Sequence, residues 1–239
     1  RQASNAGSDM DMESRAYTKH LVQLVKEGKV KMSVVDDAVR RILKKKFELG
    51  LFDDPYKFCN EEREKQQWNN PAHLDATRDM AKKSIVLLKN QNNVLPLSKT
   101  GNKKIVLIGP FVKAVSDHNG FWSYDWPDDS SRITTIWDGI QKKFGGNANL
   151  LYAKGCGITD TSTAGFPEAV STAMQADIII VTVGEKRDMS GEAKSRSNIH
   201  LPGVQEELVK QLVATGKPVI VLISAGRPLI FNWTADNAT

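Results

Sequence analysis

The stretch Ile178-Ile179-Ile180-Val181-Thr182-Val183, followed by Gly184-Glu185 and then by Asp188-Met189-Ser190-Gly191-Glu192-Ala193-Lys194-Ser195-Arg196, decides the fold. An uninterrupted β-branched run without a charge reads as a strand buried on both faces, which is the signature of a parallel sheet. The polar loop behind it then leaves from the carboxyl end of that strand, where ligands of open α/β sheets collect. Glu192 sits there with Gly191 before it and Lys194 and Arg196 after it, so it is the candidate acid or base. The competing reading is a carboxylate that only pairs with Lys194 or Arg196 on a mobile loop. Glu185, directly at the strand end, better fits a structural or loop-orienting role.

Working outward, Ile105-Val106-Leu107-Ile108-Gly109 and Val219-Ile220-Val221-Leu222-Ile223-Ser224 have the same character. Helical periodicity near 136–144, 166–175 and 204–214 separates or flanks these runs. Strands alternating with helices predict an α/β domain with a mainly parallel sheet, helices on both faces and right-handed crossovers. If the strands are parallel, the loop after 105–109, which holds Trp122 and Trp126, emerges at the same edge as the Glu192 loop. Two tryptophans there offer flat apolar faces suited to the C–H face of a sugar ring, although either one alone is equally well read as packing against a neighbouring loop.

Towards the amino terminus, Tyr17, Leu21, Leu24 and Val25 recur at helical spacing and stop at Gly28. A second helix is expected from Ser33, with Ser33 as its cap and Asp36 in its first turn, running towards Gly50. Between Phe52 and Pro71 the chain turns polar, with Asp53-Asp54-Pro55 and the charged run 61–65, and periodicity is lost. These features predict a helical segment over 1–52, a linker over 53–70, and the α/β domain over 71–239.

Composition sets limits. The chain has 239 residues, 40% hydrophobic and 26% charged, as in a globular protein, and no apolar run long enough to span a bilayer, so membrane insertion is not expected. The net charge of +5 is concentrated in Arg40-Arg41-Ile42-Leu43-Lys44-Lys45-Lys46, which reads as a solvated helix face and not a nucleic-acid stripe, since no base-reading module accompanies it. Cys59 and Cys156 have no CxxC spacing, and none of the four histidines, His118 included, has metal-ligand spacing. The loop after 105–109 lacks GxGxxG and GxxxxGK[ST], which puts a nucleotide-binding domain last among the alternatives. The sequons at Asn232 and Asn237 read as coincidence, and the start lacks both an initiator Met and a signal-peptide pattern.

Several segments, in order, resemble the family-3 glycoside hydrolases, the bacterial β-glucosidase branch above all. Ala6-Gly7-Ser8-Asp9-Met10-Asp11-Met12 is similar to the segment after the last strand of that family's (β/α)8 barrel, and Ala38-Val39-Arg40-Arg41-Ile42-Leu43 to the helix leaving it. Ser84-Ile85-Val86-Leu87-Leu88-Lys89-Asn90 with Leu95-Pro96-Leu97 resembles the entrance to the second domain. Ile108-Gly109-Pro110, the loop 120–126, Ser190-Gly191-Glu192-Ala193 with Arg196, and Ala225-Gly226-Arg227-Pro228 complete the series.

The resemblance implies an α/β sandwich preceded by the C-terminal helical remnant of the barrel, cut at both ends. It makes Glu192 the general acid/base of a retaining exo-β-glycosidase, with Trp122, Trp126 and Arg196 on the substrate. The partner is then a β-linked oligosaccharide or glycoside, and no cofactor or metal is required, because two carboxylates about 5 Å apart and a water suffice. The family's nucleophile lies upstream of 6–12, so this chain alone is expected to be inactive. Asp9 and Asp11 are read as helix-starting groups, and Asp125 and Asp128 as loop-forming ones. Residence in the periplasm or outside the cell is likewise implied by the resemblance alone. A noncatalytic carbohydrate-binding or scaffold module of the same fold is the alternative.

Overall fold

The computed structural model describes residues 1–68, 70–98, 102–123, 133–144 and 149–239. The chain divides into two compact units, Arg1–Ile85 and Val86–Thr239. The division falls later than the expected boundary at residue 71.

The first unit contains α1 (Gln2–Asn5), α2 (Ala16–Lys26), α3 (Met32–Glu48), α4 (Glu61–Gln67) and α5 (Pro71–Ser84). The expected pair is present as α2 and α3. However, α3 begins one residue before Ser33, with Lys31 at the cap position and no side-chain capping bond. Asp11 does meet a helix start: its carboxylate accepts the Tyr17 N–H at 3.0 Å and the Ser14 hydroxyl at 2.5 Å, and these bonds hold it below the usual carboxylate range. Asp9 instead takes both Nε and Nη2 of Arg41, at 2.8 and 2.7 Å. The polar stretch read as linker contains α4. Lacking an apolar stripe, it is held by Asn60, whose side chain accepts the Arg63 N–H at 2.7 Å, and by a Glu62–Lys65 pair.

The second unit is built on β1 (Lys104–Ile108), β2 (Asn149–Ala153), β3 (Ile178–Gly184) and β4 (Val219–Ser224), all parallel, in the order β2-β1-β3-β4. β1 and β3 are central, and β3 is buried along its whole length, as a two-faced strand must be. Alternate residues feed two cores. Val106, Ile108, Ile179, Val181 and Val183 join α7 (Phe166–Met174) and α8 (Gln205–Val213) through Ala169, Leu208 and Leu212. Ile105, Leu107, Ile178 and Ile180 pack with Ile136, Trp137 and Ile140 of α6 (Ile136–Phe144) on the other side. A last helix, α9 (Asn232–Asn237), packs on the α8 face through Trp233.

Thus β1 leads through α6 outward to β2, whereas the chain returns through α7 past β1 to β3. The connections diverge at the β1/β3 pair, and a crevice between their loops is the geometric consequence. Backbone at the end of β3 is held by Gln205 at the start of α8. Its Oε1 accepts the Gly184 N–H and its Nε2 donates to the Gly184 carbonyl, each at 2.8 Å.

Burial also separates the two thiols. Cys156 lies in the α7/α8 core, where desolvation, reinforced by the negative charge of Asp160, pushes its thiol up to about 11; Cys59 is exposed. A thiol reagent at pH 8 is therefore expected to modify Cys59 readily in the folded chain and Cys156 only after denaturation. Equal rates for the two thiols, followed by mass spectrometry, would contradict this packing.

Candidate active-site edge

Three loops converge beyond the carboxyl ends of β1, β3 and β4 around a cleft of about 530 Å³. Its walls include Asp117, His118 and Trp122 from the β1 side, Lys186 and Ser190 from the β3 side, and Gly226 from the β4 side. It lies where the strand connections diverge, so the fold and the cleft point to the same place.

Local chemistry fixes each loop. Gly109 ends β1 at φ +113°, against the Thr182 backbone, where a Cβ has no room. The Thr182 hydroxyl donates to the Ile108 carbonyl at 3.3 Å and accepts the Phe111 N–H at 3.1 Å, clasping the β1 loop to β3. Further out, the Arg187 N–H donates to Asp117 at 3.1 Å. His118 gives its Nε2–H to the Phe111 carbonyl at 2.9 Å, so one ring nitrogen is held by its own loop.

The loop carrying Glu192 is irregular. Gly191, at φ +151°, lies directly against the ring of Phe121, and Ala193 takes a left-handed conformation at φ +57°. Lys194 sets its ammonium 5.8 Å from the Phe121 ring centroid, a cation–π contact. Glu192 itself is exposed, and it makes no hydrogen bond or ion pair among the described residues. Its expected rival partners are committed elsewhere: Lys194 to Phe121, and Arg196 to Glu185.

Glu185 is the buried counterpart. Its carboxylate is 1% exposed, with Oε1 accepting from Nη1 of Arg196 and Oε2 from Nε of Arg227 at 3.1 Å. Arg227 also donates through Nη2 to the carbonyls of Met189 and of Lys194, the latter at 2.8 Å. Two guanidiniums around one carboxylate satisfy a charge that would otherwise be prohibitively costly to bury.

Of the residues singled out from sequence, Trp122 lines the cleft and is 75% exposed, its ring held edge-on by Phe121 at 5.1 Å and 84°. Trp126 lies outside the described residues, as do Asp125 and Asp128. Arg196 turns inward to Glu185 and to the His200 carbonyl, and it does not line the cleft. Sequence reasoning gave no role to Arg227, Phe121, Thr182 or Asp117. The only signals were Arg227 inside the quoted Ala-Gly-Arg-Pro segment and the glycine beside Glu192, whose partners lie far along the chain.

The architecture defines a doubly wound α/β domain with a cleft at its topological switch point. The family model for the glycosyl hydrolase family 3 C-terminal domain matches residues 85–239, and the chain belongs to that family. It is 38% identical to the periplasmic beta-glucosidase of Salmonella typhimurium, over 96% of this chain and 32% of that protein. It is 36% identical to a beta-xylosidase of Formosa agariphila, over 97% of this chain and 33% of that protein. The chain therefore spans about a third of the length of these relatives. Among solved structures, the beta-glucosidase of Listeria innocua in complex with isofagomine superposes with a TM-score of 0.86 at 30% identity, covering 99% of this chain and 32% of that one.

A side chain at Gly191 would be driven into the Phe121 ring at a φ that disfavours one. Gly191→Ala is expected to destabilise the second unit by about 1–3 kcal/mol in urea unfolding. Adding Phe121→Ala should return part of that loss, because it empties the space the new methyl needs. Unchanged stability in the single variant would show that the two loops are not in contact.

Proposed function

We propose that this chain supplies the acid/base part of a retaining exo-β-glycosidase acting on terminal β-linked sugars, with Glu192 as the group that protonates the leaving oxygen. The observation that carries the reading is the state of Glu192: an exposed carboxylate, unpaired among the described residues, next to the cleft-lining Ser190 and Gly191, at the switch point of a family-3 C-terminal domain. The names of the relatives, β-glucosidases and β-xylosidases, supply the substrate class.

In such a mechanism a second carboxylate attacks the anomeric carbon while Glu192 delivers its proton to the departing oxygen. Glu192, now ionised, then takes a proton from the water that releases the sugar. By the family resemblance the nucleophile lies on a barrel upstream of residues 6–12, so on this reading catalysis needs the chain joined to such a barrel. Trp122 offers the leaving-group side of the substrate a flat face whose orientation Phe121 fixes. Residence outside the cytoplasm rests on the periplasmic relative alone and is checked by fractionating cells that make the full protein.

In the barrel-joined enzyme, Glu192→Gln should slow hydrolysis of alkyl glycosides by roughly a hundredfold or more, and dinitrophenyl glycosides far less, because a good leaving group needs little protonation. Azide should restore turnover of the activated substrate by replacing the base-activated water. Equal losses on both substrates would remove Glu192 from the acid role.

Trp122→Ala should raise KM for aryl glycosides by about tenfold, while leaving a glycosyl fluoride, which has no ring to stack, nearly unaffected. Loss of sugar affinity in the Trp122 variant, with Glu192 irrelevant to any turnover, would favour a noncatalytic carbohydrate-binding module.

A further inference from the structure

The geometry points to Glu185, Arg196 and Arg227 as the positioning residues of the acid/base loop: a buried three-charge clamp that holds the segment carrying Glu192 in place. This inference rests on the role proposed for Glu192, but its structural half stands without it.

Between the end of β3 and the segment reached at His200, the chain has almost no regular structure to fix it. Each stem of the loop is pinned by backbone pairing: the Glu185 N–H donates to the Ser224 carbonyl at 2.9 Å, and His200 forms a bridge with Ile230, whose N–H donates to the Ile199 carbonyl at 2.9 Å. Within the span, the short-range backbone bonds are few, such as Met189 N–H to the Lys186 carbonyl at 2.9 Å and Lys194 N–H to the Gly191 carbonyl at 3.2 Å. The clamp supplies what these lack.

Arg227, from the loop after β4, reaches the carbonyls of Met189 and Lys194, which bracket Glu192 on either side. Arg196 reaches back from the far limb of the loop to Glu185 at its near stem, and to the His200 carbonyl at 3.4 Å. Glu185 joins the two guanidiniums, each of which is only about one-fifth exposed, at 21% and 18%. The result closes the loop on itself and ties it to β4.

A planar guanidinium with a fixed fork of donors can satisfy a carboxylate and two carbonyls together, which a lysine ammonium on a flexible stem cannot reproduce. Loops carrying catalytic groups need such holding, since a displacement of about 1 Å at the reacting group costs about a hundredfold in rate.

The test uses Glu185→Gln and, in case that variant folds poorly, Arg227→Lys, which keeps the charge but not the fork. In the chain as it stands, hydrogen exchange of the Met189 and Lys194 amides should accelerate about tenfold to a hundredfold in both variants, while β1 and β3 amides keep their protection. Unchanged loop exchange in both, or an equal acceleration in β1 and β3, would overturn the clamp by showing either no role or a merely global one.

In the barrel-joined enzyme, both variants should lose about tenfold to a hundredfold in kcat on alkyl glycosides and distinctly less on dinitrophenyl glycosides, the same discrimination as Glu192→Gln but weaker. An unaltered leaving-group dependence, where Glu192→Gln does alter it, would overturn the positioning role. Should Glu192→Gln itself show no such dependence, the acid/base reading fails and with it the catalytic half of this inference. The exchange measurement then decides the structural half alone.

Discussion

The parallel pairing of β1 with β3, with β2 displaced to the outside, is the constraint on which the rest of the second unit depends. Because the chain leaves β1 in one direction and β3 in the other, a crevice opens between their carboxyl ends, and the cleft lies there. What the sequence adds is a set of clasps that keep its rim from collapsing or fraying: Thr182 across the β1 loop, Gln205 on the last residue of β3, and Gly191 against Phe121. Each depends on the strand order, since each joins segments that are distant in the chain.

Two carboxylates seven positions apart on one loop have opposite surroundings. Glu185 is buried, doubly bonded by guanidiniums and shielded from solvent; Glu192 is exposed and unpaired among the described residues. A buried carboxylate committed to a guanidinium on each side is poorly placed to exchange protons with a substrate, whereas one left unpaired among the described residues is open to it. The local positive charges that sequence places around Glu192 do not pair with it, because Glu185 and Phe121 occupy them. Breaking such a buried cluster leaves an uncompensated charge, so its loss should be felt mainly as disorder of the segments it joins.

How much was legible in the sequence follows from what each element depends on. β1, β3 and β4 and the helices α6, α7 and α8 are visible as apolar periodicity, because both sheet faces are buried and the helices pack one stripe each. β2 escaped notice because it is a half-buried edge strand of mixed character, Asn149-Leu150-Leu151-Tyr152-Ala153, that owes its conformation to pairing with β1. α4 was hidden for the opposite reason: it has no apolar stripe and relies on a cap and ion pairs. At the candidate site, Glu192 and Trp122 could be put forward as candidates from residue type and strand order. The fate of Arg196 and the presence of Arg227 could not, because their partner Glu185 has local alternatives in sequence and only the fold selects among them.

The most direct measurement is a crystal structure of the barrel-joined protein with a non-hydrolysable S-linked glycoside in the cleft. The account predicts a Glu192 carboxyl oxygen within about 2.6–3.5 Å of the bridging sulfur, with Trp122 facing the leaving group and Glu185 still held by Arg196 and Arg227. A bound glycoside with Glu192 turned to solvent, and another carboxyl at the bridging atom, would contradict it.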